Sequence, residues 1–491
     1  MSFSSTTRRN VPARGIIPAM VLTLGLGGCS LAPKYVQPAL PVPSEYPDTV
    51  PSRTSIAALG WEDFFRDPEL RRLIAIALEE NRDVRIAAAR VDEARGAWRI
   101  QGAALYPQLD GGASWQRGRS LVNLPTAPAT LVDARQITAQ LSAGWEIDFW
   151  GRLRNLRDAA RWQYLATEEG RRGVATQLIT QVANGYLLER EYEEREALAR
   201  STIRTRAESL RILRRRYEVG AGSKLDMAQA QAALGQAQAA LEALQRERAV
   251  NRNALMLLLG RPVDIGGGVV RLADVAAQVE PPAGLPSDLL VNRPDIIAAE
   301  HQLRAANANI GAARAAFFPN IRLTGGGGLA SESLDNLFSD PVTVWSFAPA
   351  ISLPIFNAGR LRANLDVARA RQVQSVAEYE RTIQLAFRDV SDALVQRRLF
   401  AQQAETTRQV IEALSERSRL AQLRFDNGRS TYLEVLDAQR DLFETEQLVV
   451  QLRRAEITAA VSLYSALGGG FAPATVFDAS SPSAGNRANP R

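Results

Sequence analysis

From Arg135 to Trp150 the chain alternates: Ile137, Ala139, Leu141, Ala143, Trp145, Ile147 and Phe149 fall at odd positions, and Gln136, Thr138, Gln140, Ser142, Glu146 and Asp148 at even ones. A two-residue period sends successive side chains to opposite faces, so this stretch predicts a strand with one apolar and one wet side. The parity returns in the second half of the chain. There Ile321, Leu323 and Leu329, then Trp345, Phe347, Ile351, Leu353 and Ile355, share one face, and Ser346 and Ser352 take the other. The glycines Gly325 to Gly328 are expected to weaken the first strand of that second pair.

Each pair of strands is followed by a stretch without proline. Gly151 to Tyr217 and Gly359 to Phe425 are each 67 residues, and a continuous helix of that size reaches about 100 Å at ~1.5 Å per residue. In the second stretch Ile383, Phe387, Val390, Leu394, Ala401, Ala404, Ile411, Leu414, Ser418, Ala421 and Phe425 step by three and four, with Arg397 and Arg408 in slots between. That is coiled-coil spacing. A return helix is expected from Leu225 to Leu259, where the Ala- and Gln-rich run 228–241 lets a neighbouring helix approach closely.

Laid along itself with a shift of 208 residues, the separation of Gly151 and Gly359, the chain matches Gly151-Arg152-Leu153-Arg154 to Gly359-Arg360-Leu361-Arg362. Under the same shift Gly220 falls on Gly428, Leu225 on Leu433, and Leu259-Gly260 on Leu467-Gly468. Upstream the shift becomes 212, carrying Asp83 to Asp295 and Tyr106-Pro107 to Phe318-Pro319. The chain therefore reads as a tandem duplication. The first repeat, 61–260, holds a helix, a β-hairpin over 108–150, a long helix over 151–217 and a return helix over 225–260. A linker over 261–287 leads to the second repeat, 288–468, with a helix, a hairpin over 320–356, a long helix over 359–425 and a return helix over 431–467.

Residues 1–28 have the layout of a secretory signal: Arg8, Arg9 and Arg14, an apolar run from Ile16 through Leu26 too short to span a bilayer, then Gly27-Gly28. Cys29 follows directly and is expected to become the acylated N-terminus. The Pro-rich segment 29–60 reads as an extended tether, and 469–491, rich in Ala, Ser and Pro, as a disordered tail.

The formal charge is +6, from 59 Lys+Arg against 53 Asp+Glu. Losing the leader with its three arginines would leave +3, which gives no case for nucleic acid as a partner. Every basic residue except Lys34 and Lys224 is arginine, a pattern that either phosphate recognition or a compositional bias produces. With one His (His301) and one Cys (Cys29), a Cys/His metal site, an intrachain disulfide and a triad-type centre lack their residues. No catalytic, metal or cofactor site is expected, and His301 reads as structural. Only the leader is apolar enough for a membrane helix, so a membrane protein of this sequence must span by strands. One chain supplies four, whereas bacterial barrels have about eight or more. A dimer would give an eight-stranded barrel filled by side chains, and a trimer a twelve-stranded one with a lumen.

The run CSLAPKYVQP after the leader, the segment NRPDIIAAEHQLRAANANIGAARAAFFPNI, the doubled GRL, and the paired turns RRYEVGAGSKLDMAQAQ and LRFDNGRSTYLEVLDAQRDL closely resemble TolC-type outer-membrane efflux channels. Within these they are most similar to the lipoprotein branch, OprM/NodT-like, of resistance-nodulation-division systems. The resemblance implies a mainly α protein with a transmembrane β part, a trimer whose 12-stranded β-barrel continues into a long periplasmic α-helical barrel. It also implies passive export of small molecules, with a periplasmic adaptor (membrane fusion protein), an inner-membrane resistance-nodulation-division pump and outer-membrane lipid as partners.

Tyr217 to Lys224 and Phe425 to Tyr432 are then the turns of the periplasmic tip, with Gly220 and Gly428 ending the long helices in the left-handed conformation. Val219, Gly220, Ala221, Asn427, Gly428 and Arg429 carry over as adaptor-docking residues. Glu434 and Asp437 share a helix face and match the acidic rings of the closed aperture, though Glu stands where Asp is common; Asp226 joins them as the first-repeat counterpart of Glu434. Like charges from three chains would favour cations and raise some carboxyl pKa values. A plainer alternative makes Thr431 to Glu434 a capping box, and Ser223 to Asp226 a weaker one. Type I protein secretion and metal efflux remain alternative duties for such a channel. A periplasmic coiled-coil adaptor or scaffold shares the long helices but gives no reason for two alternating hairpins set between them.

Cys29→Ser should abolish palmitate incorporation, because the chain has no other thiol to acylate. Undiminished label in the variant refutes the lipoprotein reading.

Overall fold

The computed structural model describes residues 30–46, 60–122, 130–266, 272 and 288–469. The leader, Cys29, the tail after Gly469 and most of the linker lie outside the described residues. In chain order the elements are α1 (Trp61–Phe64), α2 (Pro68–Glu80), α3 (Arg82–Ala103), β1 (Gln108–Val122), β2 (Thr130–Ile147), α4 (Arg152–Glu218) and α5 (Lys224–Leu259). The second half follows with α6 (Leu289–Asn292), α7 (Pro294–Ala315), β3 (Asn320–Ser331), β4 (Val342–Ser352), α8 (Arg360–Asp426) and α9 (Tyr432–Ala466). Both long helices have 67 residues, shifted by one from the expected bounds.

The duplication is visible in the backbone. Positive φ recurs at Gly151 and Gly359, Gly220 and Gly428, Gly260 and Gly468, each pair 208 apart. Proline ends α3 and α7 alike: Tyr106 N–H bonds to the Ala103 carbonyl at 3.0 Å and Phe318 N–H to the Ala315 carbonyl at 3.1 Å before Pro107 and Pro319.

The chain divides into two compact units. One comprises 93–164 and 301–376 with the start of the described chain, and the other 38–92, 165–300 and 377–469.

The first unit holds one antiparallel sheet in the order β1-β2-β3-β4, so β2 and β3 join the two repeats and β1 and β4 are its edges. Register sorts the side chains. Trp115 lies opposite Ile137, Gly111 opposite Leu141, Leu141 opposite Gly327, Gly327 opposite Trp345, Trp145 opposite Leu323, and Ile321 opposite Ile351. Directly opposed residues share a face, so the odd positions of all four strands merge into one largely apolar surface, interrupted by the charged rungs Arg117–Arg135 and Arg119–Asp133 toward the first hairpin's turn. The even positions, among them Ser114, Gln140, Ser142, Glu146, Arg322, Thr324 and Ser346, make a polar one. Among the described residues the apolar face stays largely uncovered: Trp345 is 80% exposed and Ile351 73%.

The glycines of β3 lie within one continuous strand, Asn320–Ser331. A Cβ on Gly328 would strike the Ala139 carbonyl, and one on Gly326 would lie 3.0 Å from that of Leu141. These are even positions. At the odd Gly327 the nearest atom is 3.9 Å away. The closest approaches, at Gly326 and Gly328, fall on the polar face, and glycine admits them. At the base Trp150 stacks on Phe318 with ring centres 4.6 Å apart and donates to the Pro319 carbonyl at 3.0 Å.

The expected loose tether is pinned at its start. Ser30 donates to Asn155 Oδ1 at 3.0 Å, Asn307 donates to the Pro33 carbonyl at 2.7 Å, and Arg314 to that of Leu31 at 3.1 Å. Arg304 lies over both the Tyr35 and Trp162 rings, and His301 tilts against Trp162 with centres 5.3 Å apart.

In the second unit the expected seam of α8 is the packed one: Ile383, Val390 and Ala421 are buried, and Phe387, Leu394, Ala401, Ala404, Ile411, Leu414, Ser418 and Phe425 are half-buried. Ala230, Ala233 and Ala237 of α5 are buried too. Phe64 stacks on Tyr464 at 4.0 Å, and Tyr186 donates to Asp67 Oδ2 at 2.6 Å while Asp67 caps α2. Glu189, fully buried on α4, accepts from Arg248 at 2.7 Å and Arg252 at 2.8 Å on α5, and Arg454 of α9 pairs with Glu191. Carboxylates taken out of water need such partners. The ends of the return helices repeat one device with different residues. Asn81 donates to the Leu258 carbonyl at 2.9 Å, and Arg293 to the Ala466 carbonyl at 2.9 Å.

Gly328→Ala should reduce outer-membrane assembly several-fold, whereas Gly327→Ala should assemble normally; equal yields of heat-stable protein from the two variants would contradict the crowding at Gly328.

Candidate functional site

The features singled out by sequence converge at the turns between α4 and α5 and between α8 and α9, both within the helical unit. The turns are copies. Gly220 N–H bonds to the Tyr217 carbonyl at 2.9 Å and Ala221 N–H to that of Arg216 at 2.8 Å; Gly428 N–H bonds to Phe425 at 2.9 Å and Arg429 N–H to Arg424 at 2.8 Å. This paired reach-back over the last turn satisfies carbonyls that a helix end leaves open, and it needs a left-handed residue, supplied at φ 73° and 68°. Val219, Gly220, Ala221, Asn427, Gly428 and Arg429 are all exposed, as are Tyr217 and Leu225.

Beneath the turns a small core ties the two hairpins together: Leu210 and Leu213 of α4, Ala230 of α5, Ala421 of α8, and Tyr432, Val435 and Ala438 of α9. Phe425 meets Tyr432 at 5.3 Å, and Arg216 lies over Phe425 at 5.6 Å. Burial pushes the Tyr432 hydroxyl above its ordinary pKa. Burial lowers that of Arg206, whose Nη1 donates to the Ala233 carbonyl at 2.7 Å. Sequence reading passed over both residues. Their signal was available, since a Tyr and an Arg on the seam positions of neighbouring helices are buried by the same spacing that buries Leu213.

The capping expectation is corrected. Thr431 is the N-cap of α9 but its hydroxyl caps nothing; only its carbonyl accepts, from Glu434 N–H at 3.3 Å. Ser223, read as the weaker cap, accepts from Leu225 N–H at 3.0 Å. Glu434 reaches instead across the turn to Arg424 at 3.4 Å. Asp437 pairs with Arg440 at 3.3 Å, and Arg440 also reaches Asp441 at 3.4 Å. Asp441, absent from the sequence-derived set, takes Arg417 of α8 at 2.7 Å, which holds its carboxyl below the usual range. The acidic face of α9 is thus matched by arginines within one chain. Asp226 sits half-buried in the first turn of α5, near enough to Tyr432 for its charge to act on that hydroxyl.

The model of the outer membrane efflux protein family matches residues 73–261 and 285–469. The chain belongs to that family. There are two matched spans, the first beginning at residue 73 and the second at 285. Among relatives, the solvent efflux pump outer membrane protein SrpC of Pseudomonas putida is 44% identical over 461 residues, covering 92% of this chain and 97% of that one. The cation efflux system protein CusC of Escherichia coli is 41% identical over 456 residues, covering 92% and 97%. The open state of the MtrE outer membrane channel of Neisseria gonorrhoeae superposes with a TM-score of 0.80 at 36% identity, covering 90% of this chain and 98% of that one. This member of the family is accordingly an outer-membrane efflux protein with a large periplasmic part, and its fold is that of the TolC-like channels.

Ser223→Ala should cost about 1 kcal/mol of stability at the start of α5, and Thr431→Ala only about a few tenths at the start of α9. Amide exchange at the two helix starts measures both, and the reverse order would show that Thr431 caps in solution.

Proposed function

We propose that this chain is the exit duct of a tripartite efflux pump, in which three copies close one twelve-stranded barrel. The observation that carries the reading is the sheet: four strands, largely apolar on one face and polar on the other, with two edges left open among the described residues. In hydrocarbon an open edge leaves backbone groups unsatisfied, and a wet face suits the wall of a lumen. Twelve strands leave room for a passage where eight fill with side chains. Cys29, acylated, anchors the chain to lipid; the residue after it, Ser30, is held on α4.

The helical tip is the periplasmic end. Val219, Gly220, Ala221, Asn427, Gly428 and Arg429 dock a periplasmic adaptor, supported by their exposure and by the near-identical geometry of the two turns. An inner-membrane pump of the resistance-nodulation-division class supplies the energy, and the duct performs no chemistry and carries no cofactor. SrpC and CusC bear names of a solvent and a cation system at nearly equal similarity, which favours a duct tolerant of cargo. Glu434, Asp437 and Asp226 form the gate, held by the pairs Glu434–Arg424 and Asp437–Arg440.

In planar bilayers Asp437→Ala should raise single-channel conductance and weaken block by multivalent cations, and the detergent-extracted protein should have the mass of a trimer. Unchanged conductance and cation block in the variant would remove the carboxylates from the gate, and a monodisperse monomer would refute the duct.

A further inference from the structure

The apolar face of the sheet has a sharp upper edge. Along β1 and β2 the odd rungs Leu109–Ala143, Gly111–Leu141, Ala113–Ala139 and Trp115–Ile137 are apolar, and the next rung toward the hairpin turn is Arg117–Arg135. Two arginines therefore stand directly opposite each other on the lipid side of the wall, both exposed. One rung further Arg119 pairs with Asp133 at 3.5 Å. Among the described residues no carboxylate pairs with Arg117 or Arg135. The segment 123–129, Asn-Leu-Pro-Thr-Ala-Pro-Ala, has no acid that could supply one. Like charges directly opposed across an antiparallel pair are destabilising, so this rung favours an anion between them.

Its height says which anion. From Ile147 to Ile137 strand β2 covers about 34 Å at ~3.4 Å per residue. Inclined by about 40°, as barrel strands are, that rises about 26 Å, against an apolar band of ~25 Å in outer-membrane barrels. Trp115 closes the band as an interfacial aromatic does, and Arg117 and Arg135 lie just past it, at headgroup level. The strands leave α3 and return to α4 at the opposite end, so the arginines face the outer leaflet. Guanidinium is the planar fork that grips phosphate oxygens two at a time.

We propose that Arg117 and Arg135 clamp the phosphate of a phosphorylated glycolipid of the outer leaflet, whose acyl chains lie along the apolar rungs below. The proposal rests on the membrane-spanning reading of the sheet. Delipidated trimer in detergent is incubated with diphosphoryl lipid A, and retained lipid is read by native mass spectrometry. The wild type should retain it, Arg117→Gln with Arg135→Gln should lose retention about fivefold or more, and the Lys pair should keep most of it. Arg119→Gln, whose arginine is already neutralised by Asp133, should bind as the wild type does.

Equal retention by the Gln pair, or an equal loss in Arg119→Gln, overturns the clamp. Displacement of the lipid by equimolar pyrophosphate overturns lipid as its occupant. If the Gln pair does not assemble, the single variants decide: each should lose about twofold or more, and no loss in either overturns the clamp. Wild-type protein that fails to fractionate with outer membranes overturns the membrane reading and the clamp together, which separates the two failures.

Discussion

A peptide group in hydrocarbon has no water to bond with, and the rest of this molecule follows from that cost. Four strands pair internally and leave β1 and β4 as the edges of the sheet, which the proposed wall would pair. A slip of one residue would carry Trp115, Leu141 and Trp345 to the polar face and Glu146 to the apolar one. The helices answer a different demand. They satisfy their own backbones, and their length is set by distance to be covered; a narrow seam of small and branched residues suffices to hold them side by side.

Parity, repeat and helix length were legible because each is a local or periodic property. The two faces of the strands could be foreseen from Ile137 to Phe149, and the three glycine pairs from the shift of 208, with the left-handed conformation expected at Gly220 and Gly428. What escaped depends on partners far away in sequence. That Gly325 to Gly328 sit in a strand was legible, but not which carbonyls, of Ala139 and Leu141, lie against them. Thr431 and Glu434 have the spacing of a capping box, yet Arg424 across the turn offers the carboxylate a full charge where the helix offers one N–H. Asp441 stayed unnoticed because its partner Arg417 lies on the preceding helix. The tether looked free because the groups that hold Ser30 to Pro33 belong to α4 and α7.

The duplicated halves show which constraints survive divergence. Gly260 and Gly468 both lie against a backbone carbonyl, of Glu80 and of Asn292, and neither position admits a side chain. Around them chemistry has drifted: an amide at Asn81 and a guanidinium at Arg293 bond to equivalent helix carbonyls. Backbone geometry is kept where space is closed, and the side chain that serves it is free to change wherever another donor reaches the same oxygen.

Crowding on the wet side of Gly326 and Gly328, with open space at Gly327, falls in β3, the strand through which the second repeat's hairpin joins the first. A side chain at either crowded position would have to displace a carbonyl of β2. The seam between the repeats therefore tolerates substitution on one face and resists it on the other, and a mutation there acts on two hairpins at once.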